Sequence, residues 1–211
     1  MTTQLQKLVQ LGGPVRRAPA DGGRLLEVFG PAQLDSLMPL LQLANGFYAF
    51  ESALHVFADA GAAPELGLIE WNDRSLWISG YSGMADGALF FAEDIFGIQF
   101  CLRGGVVSTF DPETGAFDTM ASSIEDWAHN ILGDPGLLTG HSLAHQWQAA
   151  HGALKPGRRL IPKRPFVMGG EYAIDNLYEA DAVKGMLYRG SVAVQIRDLP
   201  DGTPITLKLV D

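Results

Sequence analysis

The sequence predicts an α+β protein, with a central, mainly antiparallel sheet flanked by helices and a carboxy-terminal hairpin extension. The sheet is predicted from residue 88 onward, where short apolar stretches are separated at close spacing by Gly97, by Gly104 and Gly105, and by the turn from Asp111 to Gly115. This spacing is typical of an antiparallel meander. With 211 residues, 47% of them hydrophobic, the chain is long and apolar enough for one substantial core.

The first helix of the core is predicted to begin at Pro31. The reason is that proline is favoured at the first position of a helix. Apolar residues recur at helical spacing from Leu34 to Leu41, and Gly46 suits a left-handed end. The next stretch, YAFESALHVF, is predicted to be extended. The segment LGLIEWNDRSLWISGYS is predicted to be helical or mixed, with its apolar residues covering the core.

The helix after the meander is predicted in SSIEDWAHNILGD, with Ser122 or Ser123 as its N-cap. Two early acidic residues, Glu125 and Asp126, favour the positive end of the helix dipole. We expect this helix to cover the apolar face of the meander. The core residues predicted for this contact are Trp127, Phe91, Phe100 and Leu102.

The chain is predicted to have three parts. Residues 1–24 mix Gly, Pro and Arg without sustained periodicity and are predicted to form a loose amino-terminal arm with at most one short helix; residues 25–152 form the α+β core. Residues 153–211 form an extension packed on that core. It has a basic, proline-rich loop and a short helix near Ala180–Leu187. Its last stretch, SVAVQIRDLPDGTPITLKLV, is predicted to form a hairpin around Pro200-Asp201-Gly202.

The composition predicts a cytoplasmic protein. No run approaches the roughly 20 apolar residues of a membrane helix, and the amino-terminal stretch lacks the apolar core of a secretion signal. The single cysteine, Cys101, rules out an internal disulfide framework. It lies in a strand-like apolar run, so we expect a buried and inert thiol.

Acidic residues are concentrated in the first two thirds of the chain. Residues 1–150 contain 6 Lys and Arg against 17 Asp and Glu, a balance of −11, whereas residues 151–211 contain 9 against 7, a balance of +2. Such a surface repels nucleic acid and anionic membranes and attracts a basic partner. Plain solubility is the alternative explanation of the same charge.

The adjacent carboxylates Glu93 and Asp94 allow three interpretations: a catalytic acid and base, a metal clamp, or a turn between strands. Adjacent residues usually point apart, whereas a carboxylate pair in an active site must lie across a substrate. Aspartate in a tight turn accepts hydrogen bonds from nearby backbone N–H groups. The turn interpretation is therefore favoured.

The remaining candidates for chemistry are weak. His141 and His145 share a helix face but His151 does not, and HSLAH lacks the glutamate of a metalloprotease HExxH motif, so no metal is predicted. No nucleophile elbow or phosphate-binding glycine loop is present, so the sequence predicts neither a cofactor nor an enzyme. Basic residues between Lys155 and Arg164 either contact phosphate or belong to a solvated or self-docked loop, and the second is favoured.

The order of several segments resembles the SUKH superfamily over residues 37–133. These segments are LANGFYAFESALHVF, IEWN, LFFAEDIFGIQFCL, VVSTFDPETG and SSIEDWAHNIL. The later RPFVMGGEYAIDNLY and VAVQIRDLPDGTPITL resemble the carboxy-terminal extension of one bacterial branch. Bacterial SUKH members include immunity proteins of toxin systems, and eukaryotic relatives include yeast regulators of cell-wall synthesis.

The resemblance implies an α+β fold without a catalytic centre, which neutralises a cognate toxin by binding it. It also implies that Glu93 and Asp94 belong to a turn and its rim. The alternative is an intracellular regulatory or scaffold protein with no toxin partner. A basic toxin, such as a nuclease domain, is expected to bind acidic residues that border the sheet turns, beside two aromatic anchors. These candidate partner-binding residues are Trp71, Tyr81, Asp86, Glu93, Asp94, Asp111, Glu113 and Asp118.

Overall fold

The larger sheet is a six-stranded antiparallel meander. The computed structural model describes residues 2–20, 22–200 and 202–205. Each strand pairs with the next one in the chain, without crossovers. The strands are β1 (Phe47–Ala49), β2 (Leu54–Val56), β3 (Leu89–Asp94), β4 (Gln99–Arg103), β5 (Val106–Phe110) and β6 (Phe117–Ala121). The α+β prediction is confirmed, and YAFESALHVF adds a hairpin at one edge of the predicted meander.

Helices surround this sheet and a second, two-stranded sheet lies in the extension. The helices are α1 (Gln4–Gln10), α2 (Gly23–Phe29), α3 (Pro31–Leu43), α4 (Leu68–Trp71), α5 (Ile124–Gly133), α6 (Pro135–Thr139), α7 (His141–His151) and α8 (Ala182–Ile196). The two antiparallel strands of the extension are β7 (Arg158–Pro162) and β8 (Leu177–Asp181). Among the described residues, no helix has both the length and the apolar character needed to cross a membrane.

Helix α5 covers one face of the meander, as the sequence predicts. It begins where the Ser123 hydroxyl accepts a hydrogen bond from the backbone N–H of Asp126 at 3.1 Å. The Trp127 side chain is fully buried, and its ring centroid lies 5.1 Å from that of Phe91 and 5.6 Å from that of Phe100. Both ring pairs are edge-to-face, the arrangement that aromatic quadrupoles favour.

The opposite face of the meander is covered by the segment that contains α4 and the following 3-10 turn (Ile78–Tyr81). Because successive strand residues point to opposite faces, Phe90 faces away from its neighbour Phe91. The Phe90 ring lies 4.9 Å from the Trp77 ring, which in turn lies 5.6 Å from Tyr81. Both faces are thus sealed, and all six residues of β3 are buried.

The amino-terminal arm contains the one predicted short helix, but the prediction that the arm is loose is wrong. A capping box between Thr3 and Gln6 closes the first turn of α1. Leu8 is fully buried, and the backbone N–H of Gln4 donates to the Glu125 carboxylate on α5. Beyond the helix, the backbone N–H of Gly13 donates to the carbonyl of Tyr48 at 2.7 Å. Apolar residues on one face of a seven-residue helix are enough to dock the arm.

The predicted carboxy-terminal hairpin is wrong in its placement. The two-stranded sheet of the extension is formed by β7 and β8, whereas Ser191–Ile196, predicted as a strand, is the last part of α8. Asp181 caps this helix through its side chain, and Met186 and Ala193 are buried against the core. Tertiary packing therefore overrides the β propensity of the valines. The second predicted stretch, TPITLKLV, has no strand in its first three residues, and the rest of it lies outside the described residues.

Candidate partner-binding site

The structure divides the predicted partner-binding residues into an interior group and a surface group. Five of them are at most 3% exposed: Trp71, Tyr81, Glu93, Asp94 and Glu113. The other three reach the surface: Asp86 and Asp111 are partly exposed and Asp118 is exposed. The eight residues therefore do not form one continuous surface.

Trp71 and Tyr81 do not serve as exposed anchors, because they pack against the sheet. The indole N–H of Trp71 donates to the Gln99 side-chain oxygen at 2.8 Å. The Tyr81 hydroxyl lies 3.0 Å from the Pro112 carbonyl and 3.1 Å from the Met186 carbonyl. Burial raises the pKa of Tyr81. The face of the meander opposite α5 is apolar and must be covered. Trp71 and Tyr81 cover it, and for this reason they are not on the surface.

Asp94 confirms the turn interpretation. Its Oδ1 accepts hydrogen bonds from the backbone N–H groups of Phe96 and Ile98, both at 2.8 Å. These bonds fix the tight connection between β3 and β4, where Gly97 has a φ of +77°. Burial raises the pKa of Asp94 to about 7, although the two backbone bonds oppose this shift.

Glu93, in contrast, belongs to a buried ion-pair network and not to the rim of the turn. Its Oε1 lies 2.8 Å from Arg159 Nη2 and 3.2 Å from His55 Nδ1. Its Oε2 accepts from the Gln99 side chain at 3.3 Å. The Tyr48 ring stacks on the His55 imidazole with a centroid distance of 4.2 Å. The network ties β1, β2, β3, β4 and β7 together.

The electrostatics of this network favour a fixed ion pair. Burial alone raises the pKa of Glu93, but the Arg159 charge and the His55 contact outweigh burial and hold that pKa below its usual value. Burial lowers the pKa of His55, which disfavours the charged form of the imidazole. His55 is only 4% exposed, and it lines a surface cavity together with Arg16 and Glu65. The pair of Glu93 and Arg159 stabilises the interior.

The histidine and arginine clusters have structural partners. Glu51 lies 2.9 Å from His145 and 3.9 Å from His141, and within the described ranges no group of three His, Cys, Asp or Glu side chains is arranged to hold a metal ion. The basic segment packs on the rest of the extension, but the predicted loop is interrupted by β7, which contains Arg158 and Arg159 and pairs with β8. In addition to the ion pair of Arg159 with Glu93, Arg158 lies 3.2 Å from the Glu179 carboxylate. The Lys163 ammonium donates to the Asp175 carbonyl at 2.7 Å. Cys101 is buried, and burial raises its pKa to about 12.

A surface cavity of about 230 Å³ lies at the turn between β5 and β6. Asp111 shapes this turn, because its Oδ1 accepts from the backbone N–H of Glu113 at 2.7 Å and its backbone N–H donates to Ala116 at 2.9 Å. The turn places the Glu113 carboxylate against the extension, where Oε2 accepts from the backbone N–H of Val167 at 2.8 Å. The side chains that define the cavity are Asp111, Glu113, Phe96, Phe166, Tyr172 and Arg189.

Three aromatic rings form one side of the cavity. The Phe166 and Tyr172 rings are parallel, with centroids 3.9 Å apart, and Phe96 is edge-on to both at 5.6 and 5.9 Å. Tyr172 is 62% exposed. The loop between the stacked rings folds back tightly at Gly170, where an added Cβ would lie 2.0 Å from the Arg164 carbonyl oxygen.

Glu113 is the feature of the cavity that lacks a complete set of partners. The residue is 3% exposed, and its Oε1 is buried without a hydrogen-bond partner among the residues that the structure describes. Burial raises the pKa of Glu113, and the backbone N–H groups of Val167 and Phe166 and the Arg189 charge oppose this shift. Arg189 is itself buried and donates to the carbonyls of Gly185 and Phe96. Two carboxylates and one guanidinium thus leave the cavity with a net negative charge when both acids are ionised.

Sequence reasoning identified Asp111 and Glu113 but not the residues that complete their cavity. Phe166, Tyr172 and Arg189 come from the extension, more than 50 positions after the β5–β6 turn. The available signal was local: two aromatic residues flank Gly169-Gly170, which indicates a tight loop with neighbouring rings. Nothing in the sequence pattern places that loop beside Glu113.

Comparison with known proteins shows the fold alone. No protein-family model and no curated protein matches the sequence. Among solved structures, the crystal structure of Atu4351 from Agrobacterium tumefaciens is similar, with a TM-score of 0.56 and 11% sequence identity over 86% of this chain and 86% of that chain. The described meander and its helices therefore have a counterpart of the same overall fold.

Proposed function

We propose that this chain is a non-catalytic bacterial immunity protein that works in the cytoplasm and neutralises a cognate toxin by binding it. The observation that carries the proposal is the acidic, aromatic-walled cavity at the β5–β6 turn, where the buried Glu113 Oε1 has no hydrogen-bond partner within the described part of the chain. A buried polar atom without a partner is costly, and a bound partner that supplies a donor removes this cost. The resemblance to SUKH immunity proteins supports the same function.

The distribution of charge supports a basic partner. The balance of −11 on residues 1–150 attracts a positively charged domain, such as a nuclease, and increases its association rate. The same charge opposes direct binding to nucleic acid. The interior Glu93 network supports a binding role over catalysis, because its carboxylate is held by Arg159 and His55.

The proposal is tested with the toxic carboxy-terminal domain of a secreted protein encoded beside this gene. Co-expression should restore growth of cells that produce the toxin, and the two purified proteins should form a stoichiometric complex. The purified chain should show no hydrolase or transferase turnover. Turnover that Glu93→Gln with Asp94→Asn abolishes in a folded protein would contradict the binding role.

A neighbouring toxin that neither binds nor is neutralised would contradict the immunity function. The absence of any such gene would favour the alternative, a regulatory or scaffold protein of the same fold. Where such a gene is present, formation of the complex with the toxin domain, and not growth alone, is the measurement that decides.

A further inference from the structure

We propose that the cavity at the β5–β6 turn receives a single guanidinium group, the arginine side chain of a protein partner, on Glu113 and Asp111. This inference rests on the proposed function, because the arginine is expected to come from the toxin. It goes further by naming the chemical group that enters the cavity and the residues that bind it.

The first argument is the hydrogen-bonding state of Glu113. If the carboxyl is ionised, Oε1 is a buried acceptor that has no donor among the described residues. The ionised state is therefore incompletely satisfied by the described protein atoms. An incoming cationic N–H donor satisfies the ionised state, and hydrogen bonds to charged groups are the stronger kind.

The second argument is the wall of the cavity. Phe96, Phe166 and Tyr172 offer aromatic surface directly beside two carboxylates. A guanidinium group stacks on aromatic rings and binds carboxylates through a planar fork of donors, whereas an ammonium group is a compact, strongly hydrated charge. Aromatic and acidic groups together therefore favour arginine over lysine.

The third argument is size and net charge. The cavity of about 230 Å³ is smaller than the roughly 300–1,000 Å³ of sites for drug-sized molecules, so one side chain suits it better. Arg189 also borders the cavity and repels a cation. Its guanidinium is already committed to the carbonyls of Gly185 and Phe96, and the carboxylates of Asp111 and Glu113 together outweigh its single charge when both are ionised.

The test uses N-acetyl-arginine methylamide as the probe for the full chain, with binding measured by NMR titration. The matched neutral probe is N-acetyl-citrulline methylamide, which has nearly the same shape. We expect shifts of the signals of Tyr172 and of the β5–β6 turn with the arginine probe and at least about tenfold weaker binding of the citrulline probe. Equal binding of the two probes would overturn the proposal, and tighter binding of the corresponding lysine probe would overturn the choice of guanidinium.

Two variants locate the site. Glu113→Gln keeps the shape of the side chain and should weaken binding of the arginine probe by about tenfold or more. Glu27→Gln, which removes one exposed charge from α2, is the matched control and should leave the affinity within about twofold. Should Glu113→Gln fail to fold, Tyr172→Leu removes an exposed aromatic wall, and unchanged probe affinity in that variant would overturn the proposal.

The same variants separate this inference from the proposed function. A toxin domain that binds the wild-type chain and a folded Glu113→Gln variant equally well would overturn the cavity as the contact and leave the immunity function intact. Specific binding of the arginine probe without binding of the toxin would support the cavity and contradict the immunity function. Parallel loss of probe and toxin binding in Glu113→Gln would support both.

Discussion

Arg159 Nη2 on β7 lies 2.8 Å from Glu93 Oε1 on β3, and their side chains are only 1% and 2% exposed. The contact joins the carboxy-terminal extension to the central sheet through a pair of buried charges. Among the described residues, Arg159 Nε and Nη2 have no hydrogen-bond partner with favourable geometry, so the contact is an ion pair and not an aligned fork. Each charge depends on the other, because neither has access to water.

Replacing Arg159 by Met should destabilise the protein by roughly 3–5 kcal/mol, since the Glu93 carboxylate would remain buried without its cation. The double variant Arg159→Met with Glu93→Gln should be less destabilised than the sum of the single variants, because it removes both charges. Urea unfolding of the four proteins of this double-mutant cycle measures the coupling.

The neighbouring pair of Arg158 and Glu179 is the matched control for the buried pair. Arg158 is 37% exposed in its side chain and lies 3.2 Å from the Glu179 carboxylate. Arg158→Met should cost no more than about 1 kcal/mol, as is usual for an exposed pair. Equal destabilisation by Arg158→Met and Arg159→Met would show that burial of the Glu93 pair does not determine its contribution.

Trp127→Ala should lower the free energy of unfolding by roughly 3–5 kcal/mol, the usual cost of removing a large buried ring. The side chain is fully buried between Phe91 and Phe100, so its loss leaves a cavity under α5. His129→Ala, an exposed substitution on the same helix, should change stability by no more than about 0.5 kcal/mol. A denaturation midpoint that Trp127→Ala leaves unchanged would contradict the packing of α5 on the meander.

Asp94 should make the stability of the protein fall as pH rises. Its pKa in the folded state is about 7, above the usual aspartate value of 3.8, so the folded state binds the proton more tightly. The stabilisation from this group is complete below about pH 4 and is lost as pH rises to about 7. Asp94→Asn keeps an oxygen for the two backbone N–H bonds and should flatten the decline over this range.

Thermal unfolding from pH 4 to pH 8 measures the effect of Asp94→Asn. Asp118→Asn is the control, because Asp118 is exposed and its substitution should leave the shape of the curve as in the wild type. Curves of the same slope for wild type and Asp94→Asn would show that the Asp94 carboxyl does not change its proton affinity on folding.

Local signals predicted the meander and α5 because both depend on residues close in the chain: turn glycines, the Ser123 cap and the apolar face that carries Trp127. The last strand prediction failed because Val192 and Ala193 are buried by contacts with distant residues, which stabilise a helix there. The same limit applies to the site. Asp111 and Glu113 are recognisable as acids in a turn, but burial of Glu113 depends on a loop from the distant extension.

The last prediction separates steering by surface acids from contact with the cavity in binding of the neighbouring toxin domain. Neutralising Asp86 and Asp118, which both reach the surface, should lower the association rate at low salt with little change in the dissociation rate, because long-range attraction acts before contact. Glu113→Gln should chiefly raise the dissociation rate. Stopped-flow measurements from low to physiological ionic strength compare these variants with Glu27→Gln plus Asp35→Asn, two exposed acids on α2 and α3. An equal decrease of the association rate for both pairs of substitutions would show that the total charge determines steering. It would refute a specific role for Asp86 and Asp118.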